Sequence, residues 1–491
     1  MSIRIKKVLL VNPPNTMPID SVRRIGEPLG LLYLGAALKK ERYRVTVFDM
    51  ACEGYNNCNV KDGYVTYGSS SDDLKKAVEE SEPDIVGVSC MFTAREKDTF
   101  TTCLALREMD KEFPVVLGGL HPSLFPERFI NGGYADYVVM GEGEFRFVKL
   151  LQRINENRTP DFDGVAYRVG NSYEINPMMT RIDDLDSVSI PDRDLIDMEK
   201  YIRIGTPYAP FSYKQRVAQI LTTRGCPNKC NFCATVNYWG RKIRARSVDN
   251  IIDEMEILKE KYNIEEVQFV DDNMTFNKKF AEELFVKMSK FNFKWCTPHG
   301  LMFNTLDDNL IKLMAKSGAY QLTFAIESAS ERVLKEIIHK AVNLKIVKEI
   351  VEEAHAFDIS VHGMFVTGFP GETKKEIMDT LDFPFWAGFD SVSYFVVQPL
   401  PGTELYRQCK EKGYLAENFS TMDFKTANIR IPKDSPDYNI EPEELMELVD
   451  RRTREFNEWA KNQYPERWKR KFERYLNYHP ENKNIIMGRV T

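Results

Sequence analysis

The chain has 491 residues, with 67 Lys and Arg against 73 Asp and Glu, so its formal net charge is −6. Hydrophobic residues make up 43% and aromatic residues 12% of the chain, which is enough to bury full cores and excludes disorder as the main state. A nearly neutral, slightly acidic chain is not a general nucleic-acid binder, so no nucleic-acid partner is expected. The length predicts about three domains.

The apolar runs are too short for a membrane protein. The longest nearly apolar run, residues 29–38, covers about half of a membrane span, so no transmembrane segment is expected. The run at residues 8–11 is too short for the core of a signal peptide. Most of the nine cysteines are scattered, which does not suggest a disulfide scaffold. A cytoplasmic protein is predicted.

Residues 1–152 alternate short apolar runs with helical patterns. This alternation predicts an α/β fold, a doubly wound parallel sheet with helices on both faces, whose ligands bind at the carboxyl ends of the strands. Strands are predicted at residues 8–12, 44–48, 84–89, 114–117 and 137–140, and helices at 29–40, 71–80 and 94–110.

The rest of the chain divides into three further regions. Residues 153–215 lose the alternation and are predicted to be an ordered linker with a small hairpin. Residues 216–405 return to it with about six strand–helix repeats, which predicts a partial (β/α)6 barrel with its chemistry at the carboxyl ends of the strands. Residues 406–491 are polar and then helical from about residue 442, with a break near Pro465, and form a helical C-terminal tail.

Three cysteines are clustered in one short loop after a predicted strand: Cys226, Cys230 and Cys233. A zinc site usually needs a fourth nitrogen or sulfur ligand, and the next candidates, Cys296 and His299, are far along the chain. An iron–sulfur cube held by three thiolates leaves one iron open to a substrate or cofactor. A zinc knuckle completed from a distance is the alternative.

The spacing Cys-x3-Cys-x2-Cys, with the aromatic Phe232 before the last cysteine, resembles the radical S-adenosylmethionine (radical SAM) superfamily. The resemblance implies that the three cysteines hold a [4Fe–4S] cluster and that its open iron binds S-adenosylmethionine. Phe232 is then expected beside the adenine or the cluster. One electron from a donor such as flavodoxin or ferredoxin, under anaerobic conditions, yields methionine and a 5′-deoxyadenosyl radical.

Further residues at the ends of predicted barrel strands match the same superfamily. Asp271 and Asp272 follow the second strand and resemble the segment near the methionyl amino group. Glu327 follows the fourth strand and matches an acid that holds the ribose hydroxyls. Gly368 follows the fifth strand, in a segment that resembles the adenine-binding one. Taken singly, a carboxylate at a strand end is also typical of a helix cap or a turn.

The amino-terminal region resembles the cobalamin-binding domain that precedes this barrel in one large subfamily. A serine at the end of the third strand matches the one that meets the nucleotide tail in that family. The alternative is a flavodoxin-like sheet whose glycines only form turns. The residues that the resemblance assigns to cobalamin are Asn12, Glu27, Ser89, Gly118, Gly119, His121, Gly141 and Glu142.

One position departs from the cobalamin pattern. Classical domains carry Asp-x-His-x-x-Gly, whose histidine ligates cobalt from below, but here Ala51 stands between Asp49 and Gly54 where the histidine is expected. The lower cobalt face is then bound by water, open or covered by another residue. His121 is the alternative ligand, although a turn histidine beside Pro122 is more often structural or in contact with the nucleotide tail.

Taken together, the resemblance implies a class B-like cobalamin-dependent radical methyltransferase. One S-adenosylmethionine methylates cob(I)alamin and a second is cleaved at the cluster; the substrate radical then collects the methyl group at an unactivated carbon. The alternatives are non-methylating radical chemistry, such as cyclisation, ring contraction or carbon–carbon coupling, and a corrinoid sensor or carrier with a structural cluster. The substrate is expected to be a small molecule or lipid-like, and no catalytic residue is assigned.

The C-terminal helices are both aromatic and basic. The favoured interpretation is that the aromatic side chains pack inwards and the charged ones face water, since one solvent-exposed face is usual for a surface helix. Contact with a membrane surface is the alternative. The aromatic residues concerned are Phe456, Trp459, Trp468, Phe472 and Tyr475.

Overall fold

The computed structural model describes residues 4–205, 207–209, 211–417, 419–421 and 427–478. The chain forms two compact units. The first comprises the residues up to Ile204 together with Asn237–Trp239, and the second comprises Gly205–Val236 and the residues from Gly240 onward. Among the described residues, none of the helices has the length and apolar character needed to cross a membrane.

The first unit alternates strands and helices, as the sequence predicts. Its strands are β1 (Lys7–Asn12), β2 (Asn15–Pro18), β3 (Arg44–Asp49), β4 (Cys58–Lys61), β5 (Tyr64–Tyr67), β6 (Ile85–Ser89), β7 (Val115–Gly118), β8 (Tyr137–Val139), β9 (Val165–Val169) and β10 (Ser172–Asn176). Its helices are α1 (Leu29–Lys40), α2 (Met50–Glu53), α3 (Ser71–Ser81), α4 (Glu96–Arg107), α5 (Leu120–Leu124), α6 (Pro126–Asn131), α7 (Gly143–Asn155) and α8 (Met198–Ile204).

The main sheet of this unit has the order β10-β9-β8-β7-β6-β1-β3, and β2, β5 and β4 form a small separate sheet. The five strands from β8 to β3 are parallel, which confirms the predicted doubly wound architecture. In register, Asn12 lies opposite Asp49 and Ser89 opposite Gly118, so the loops after these strands leave the sheet at the same edge.

The hairpin expected within the linker extends this sheet. β9 pairs antiparallel with β8, and its residues Val165 and Ala166 are buried in the hydrophobic cores of the unit. Residues 153–204, which the sequence predicts to be a linker, therefore belong to the first compact unit. The apolar half of β9 is stabilised by burial against the sheet edge, a tertiary contact that composition alone does not reveal.

The second part of the chain contains a longer series of strands and helices. Its strands are β11 (Val217–Ile220), β12 (Thr223–Arg224), β13 (Arg244–Ala245), β14 (Glu266–Phe269), β15 (Lys294–Cys296), β16 (Ala319–Glu327), β17 (Ser360–Thr367) and β18 (Ser391–Val396). Its helices are α9 (Thr235–Trp239), α10 (Val248–Tyr262), α11 (Lys278–Met288), α12 (Asp308–Lys316), α13 (Val347–Ala356), α14 (Lys374–Ala387), α15 (Glu404–Glu411), α16 (Pro442–Gln463) and α17 (Pro465–Tyr478), with a π-helical turn at Val333–Ile338.

Six parallel strands in the order β11-β14-β15-β16-β17-β18 confirm the predicted partial (β/α)6 barrel. The third of them, β15, has only three residues and no β-branched side chain, so its pattern does not mark a strand. It is held by Trp295, which is fully buried, stacks on Phe285 at 5.1 Å between ring centroids and meets Phe269 edge-on. Aromatic packing therefore secures a strand that local propensity does not.

The C-terminal helices pack on the barrel, as the favoured interpretation expects. Helix α16 lies against β18 and α14, where Phe456 is fully buried and meets Phe385 edge to face, at 4.9 Å between ring centroids. In α17, Tyr475 is buried against Phe211. The predicted break is present, since α16 ends at Gln463 and α17 begins at Pro465.

Candidate active site

The cysteine loop follows β12 and is fastened at several points. Gly225 has φ +107°, and a Cβ there would lie 2.4 Å from the carbonyl oxygen of Lys242, so only glycine allows this packing. The amide of Cys226 donates to the carbonyl of Gly240. Asn231 donates its side-chain amide to the carbonyl of Ile337 at 2.8 Å, which ties the loop to the π-helical turn. A rigid loop is what positioning three thiols requires.

The three thiols lie within electrostatic range of one another. Burial raises the pKa of Cys226 and Cys233 and raises that of Cys230 to about 12, so nearby positive charge is needed to hold all three as thiolates. No three His, Cys, Asp or Glu side chains of the described residues are arranged to hold a single metal ion. A [4Fe–4S] cluster binds each thiolate at a different iron, and three thiols on one short loop fit such a group.

An ion pair lies beside the thiols. Nζ of Lys340 donates to Oε1 of Glu327 at 2.8 Å and to the carbonyl of Ala325 at 2.5 Å, and both charged side chains are nearly buried. Burial lowers the pKa of Lys340, but the Glu327 carboxylate and the Cys230 thiol outweigh it and hold that pKa above its ordinary value. Glu327 itself has φ +70°, a left-handed conformation that is uncommon for a non-glycine residue and concentrates at functional sites.

The two adjacent aspartates after β14 have different surroundings. Asp271 is fully engaged: its Oδ1 accepts from the backbone and hydroxyl groups of Thr222 and Thr223. Asp272 has no hydrogen-bond partner within the described part of the chain, and burial, followed by the charge of Asp271, raises its pKa to about 7. Asp271 therefore fixes the strand ends, whereas Asp272 is available to a ligand.

The segment after β17 is folded around a carboxylate. Gly368, at φ +88°, and Phe369 donate their amides to Oε2 of Glu372 at 2.7 and 3.1 Å. The Phe369 ring meets Phe232 of the cysteine loop at 5.6 Å between centroids. Asn439 in turn donates to the carbonyl of Phe369, so the C-terminal region holds this segment in place. Gly368 and Phe232, which were predicted from motifs far apart in the sequence, thus lie close together.

Unsatisfied polar atoms mark the same end of the barrel. A buried polar atom without a partner costs about 1–3 kcal/mol, so a group of them at one end indicates a site that a polar ligand completes. S-adenosylmethionine, with its ammonium, carboxylate, hydroxyl and adenine groups, fits such a lining. The buried atoms without a hydrogen-bond partner among the described residues include Oδ1 of Asn231, Oδ1 of Asn273, Nε2 of His299, Oγ1 of Thr367 and Oε1 of Glu372.

In the first unit, two glycine turns lie at the carboxyl edge of the sheet. Gly119 has φ +105°, and a Cβ there would lie 2.6 Å from the carbonyl oxygen of Cys90, whereas one on Gly118 would meet only the carbonyl of Val139, at 3.6 Å. Ser123 links the turns, because its hydroxyl donates to the carbonyl of Gly119 and accepts from the amide of Gly141. With Ser89 opposite Gly118, this edge exposes backbone to a ligand, which fits cobalamin.

Other predicted cobalamin residues are engaged by the protein itself. Asn12 donates to Asp49 at 2.8 Å, and Oε2 of Glu27 forms a buried ion pair with Arg193 at 2.5 Å. Oε2 of Glu142 accepts from the amide of Ile182. These side chains fix the unit from within, and contact with cobalamin stays a prediction for them.

Two observations bear on the cobalt ligand. Ala51 is buried in an apolar cluster with Cys52, Tyr67 and Tyr201, and its methyl side chain offers no ligand atom to cobalt. His121 is almost wholly buried, and its Nε2 lies 2.8 Å from Oε1 of Glu96. The pairing with Glu96 favours the structural role for His121, although its Nδ1 has no hydrogen-bond partner among the described residues. The sequence does not indicate Lys340, and it indicates His299 only as a distant zinc ligand, since each is an isolated residue outside any motif.

Comparison with known proteins agrees with both sites. Residues 220–383 match the Radical SAM superfamily and residues 16–151 match the B12 binding domain. Cytidylyl-2-hydroxyethylphosphonate methyltransferase of Streptomyces wedmorensis is 34% identical over 94% of this chain and 94% of its own length. An uncharacterized methyltransferase of Pyrococcus horikoshii is 31% identical over 82% of this chain and 83% of its own.

Solved structures share the fold. TsrM of Kitasatospora setae, a radical S-adenosylmethionine methyltransferase with cobalamin and a [4Fe–4S] cluster bound, has a TM-score of 0.66 at 19% identity, covering 83% of this chain and 75% of that one. The cobalamin-dependent S-adenosylmethionine radical enzyme OxsB has a TM-score of 0.68 at 16% identity, covering 98% and 72%. The chain therefore belongs to the cobalamin-dependent radical SAM methyltransferases, enzymes that combine a B12-binding domain with a radical SAM barrel.

Proposed function

We propose that this enzyme transfers a methyl group from cobalamin to an sp3 carbon of a small molecule by a radical route. The observation that carries the proposal is the second unit's combination of three neighbouring thiols with unsatisfied buried polar atoms at one end of the barrel. A structural cluster would need the thiols but not the polar lining. The two methyltransferase relatives, 34% and 31% identical over most of this chain, support methyl transfer over the non-methylating alternatives.

Two sets of residues would bind the two groups at the end of the barrel. Cys226, Cys230 and Cys233 would hold the cluster, while Asp272, Glu327 and the segment around Gly368 would hold S-adenosylmethionine. When bound, these groups and cobalamin supply a 5′-deoxyadenosyl radical and a transferable methyl group. Lys340 engages Oε1 of Glu327 and leaves Oε2 to accept from the ribose hydroxyls.

The substrate class that we propose is a small molecule with a hydroxylated carbon, linked to a nucleotide. The support is the relative named for cytidylyl-2-hydroxyethylphosphonate, which is 34% identical over 94% of both chains. A flavodoxin or ferredoxin of the cytoplasm would supply the electrons. Of the two expected kinds of substrate, a small molecule and a lipid-like molecule, this proposal favours the small molecule.

Anaerobic purification and reconstitution test the proposal. We expect about four irons and a bound corrinoid per chain, and 5′-deoxyadenosine when dithionite and S-adenosylmethionine are added. Cytidylyl-2-hydroxyethylphosphonate is the first substrate to assay for a methylated product. Iron and 5′-deoxyadenosine without corrinoid, after growth with cobalamin, would exclude methylation through cobalt.

A further inference from the structure

One imidazole at the carboxyl end of the barrel has a nitrogen that the protein does not use. His299 lies in the loop after β15, and its Nε2 is enclosed and has no hydrogen-bond partner among the residues that the structure describes. The ring is instead hydrogen-bonded to the backbone carbonyl of Val270, at the end of β14. His299 therefore bridges two strand ends and offers one free nitrogen.

The protonation state of this ring follows from its surroundings. Burial lowers the pKa of His299 to about 4, so the imidazole is neutral at physiological pH. A neutral imidazole carries one proton, and the carbonyl of Val270 requires it on the nitrogen that faces that carbonyl. Nε2 then has a lone pair and is an acceptor. It suits the O–H or N–H of a ligand and does not suit a carboxylate or a phosphate.

The loop that carries His299 has two sides with different neighbours. On one side, the sulfur of Met302 lies 3.0 Å from the amide of Asn273 and 3.8 Å from that of Asn228. The Asn228 amide is itself 3.6 Å from the sulfur of Cys226, so Met302 marks the side of the cysteine loop. A group bound at the cluster would meet this side first.

His299 lies on the other side. Its ring meets Tyr208 edge-on, at 4.6 Å between centroids. The next residue, Ala209, exchanges two backbone hydrogen bonds with the side chain of Gln268, which is fully buried in β14. Residues 208 and 209 are therefore fixed against β14. A substrate held on this side of the loop would meet Nε2 of His299.

We propose that Nε2 of His299 accepts a hydrogen bond from the hydroxyl group of the substrate. The inference rests on the proposed function and adds the group by which the substrate is recognised. A site built to pair with a hydroxyl rejects the analogue that lacks it, because the buried acceptor is then left unpaired. The hydroxyls of S-adenosylmethionine are the other source of the same donor, and the test separates the two.

The test uses the reconstituted holoenzyme and three ligands: cytidylyl-2-hydroxyethylphosphonate, its deoxy analogue cytidylyl-ethylphosphonate, and S-adenosylmethionine. We expect the wild type to bind the hydroxylated compound about tenfold more tightly than the deoxy compound. His299→Leu should lose this preference and keep its affinity for S-adenosylmethionine. His299→Gln, which retains an acceptor, should recover part of it.

His362→Gln is the matched control. His362 is also a barrel histidine, but its two ring nitrogens are paired with Ser391 at 2.8 Å and Ser393 at 3.1 Å. This variant should keep the preference for the hydroxylated compound. Thermal midpoints of all variants show whether each is folded. If His299→Leu is unfolded, the comparison with the wild type is made with His299→Gln.

Four results would overturn the inference. Equal weakening of both phosphonates in His299→Leu indicates a structural role, and weakened S-adenosylmethionine binding assigns the hydroxyl to that ligand. A wild type without preference for the hydroxyl shows that it is not recognised. A wild type that binds neither phosphonate but forms 5′-deoxyadenosine overturns the substrate class while the radical function stands; without 5′-deoxyadenosine, the proposed function fails as well.

Discussion

The two compact units place similar loops at the carboxyl ends of parallel strands but satisfy them differently. In the first unit, the buried carboxylates are paired by the protein: Asp49 accepts from Asn12 and Tyr201, and Glu27 pairs with Arg193. In the second unit, buried polar atoms such as Oδ1 of Asn273 and Oγ1 of Thr367 have no partner in the described part of the chain.

The difference distinguishes two ways of preparing a site. The first unit offers backbone at glycine turns and pairs most of its buried polar side chains within the protein, with Nδ1 of His121 among the exceptions in its described residues. The second unit leaves acceptors unsatisfied, and a polar ligand is needed to complete them. Disrupting the first framework should therefore reduce stability most, whereas disrupting the second lining should reduce ligand binding most.

The largest expected effect is loss of the cluster. Replacing Cys226, Cys230 or Cys233 by Ala removes one of three thiolates and should abolish iron binding and 5′-deoxyadenosine formation. Cys409→Ala, which removes a buried thiol of the same unit outside this loop, should leave the iron content unchanged. Iron analysis and product quantification check both. A cysteine-loop variant that keeps its iron would refute the assignment.

Breaking one buried ion pair in each unit compares them directly. Arg193→Met removes the cation that is paired with the buried Glu27, and Lys340→Met removes the one paired with Glu327, so each should lower the free energy of unfolding by about 3 kcal/mol. Only Lys340→Met should also weaken S-adenosylmethionine binding. Calorimetry and ligand titration measure the two effects. A loss of S-adenosylmethionine affinity in Arg193→Met would contradict the comparison.

The pH dependence of the unfolding free energy should show the titration of the buried Glu372 carboxyl group. Burial raises the pKa of Glu372 from 4.5 to about 8, against the opposing effect of the amide hydrogen bonds from Gly368 and Phe369. Between these values the folded protein binds a proton that the unfolded chain lacks. This contribution to stability is complete below pH 4.5 and is lost as the pH rises from 4.5 through 8, by about 1.4 kcal/mol per pH unit. Glu372→Gln should reduce the slope of the unfolding free energy against pH, and an unchanged slope would exclude this source.

A smaller effect is expected from a glycine turn of the first unit. Gly119→Ala combines a positive φ with a Cβ close to the carbonyl of Cys90, and should cost about 1–3 kcal/mol and lower the corrinoid content. Gly30→Ala, where a Cβ meets nothing within 4 Å, is the control and should leave the content unchanged. Corrinoid extraction and absorbance provide the measurement; equal contents would show that this turn does not shape the site.

The smallest expected change is spectroscopic. Ala51 supplies no ligand atom, and Nε2 of His121 is paired with Glu96 while its Nδ1 has no hydrogen-bond partner among the described residues. We expect this almost wholly buried ring to stay paired with Glu96 and not to ligate cobalt. The electron paramagnetic resonance spectrum of bound cob(II)alamin should show no splitting from a protein nitrogen, and His121→Gln should not alter it. A nitrogen splitting that disappears in His121→Gln would identify that residue as the ligand instead.

Sequence patterns predicted the parallel sheet, the partial barrel and the cysteine loop because each is carried by local periodicity or spacing. They did not place the hairpin β9–β10 in the sheet or mark β15, since Val165 and Trp295 are fixed by tertiary burial. The sequence does not predict the roles of Lys340 and His299 for the same reason, because their neighbours come from other parts of the chain. Asp271 and Asp272 look alike in sequence, and only the hydroxyls of Thr222 and Thr223 distinguish them.

We propose above all that this enzyme transfers a methyl group from S-adenosylmethionine, by way of cobalamin, to a carbon atom of the substrate. The most direct measurement supplies S-adenosylmethionine with a deuterated methyl group to the cobalamin-loaded enzyme and follows the product by mass spectrometry. We expect cytidylyl-2-hydroxyethylphosphonate to gain the deuterated methyl group on carbon, with both S-adenosylhomocysteine and 5′-deoxyadenosine formed. A product altered without any labelled methyl, formed together with 5′-deoxyadenosine, would contradict it and support non-methylating radical chemistry.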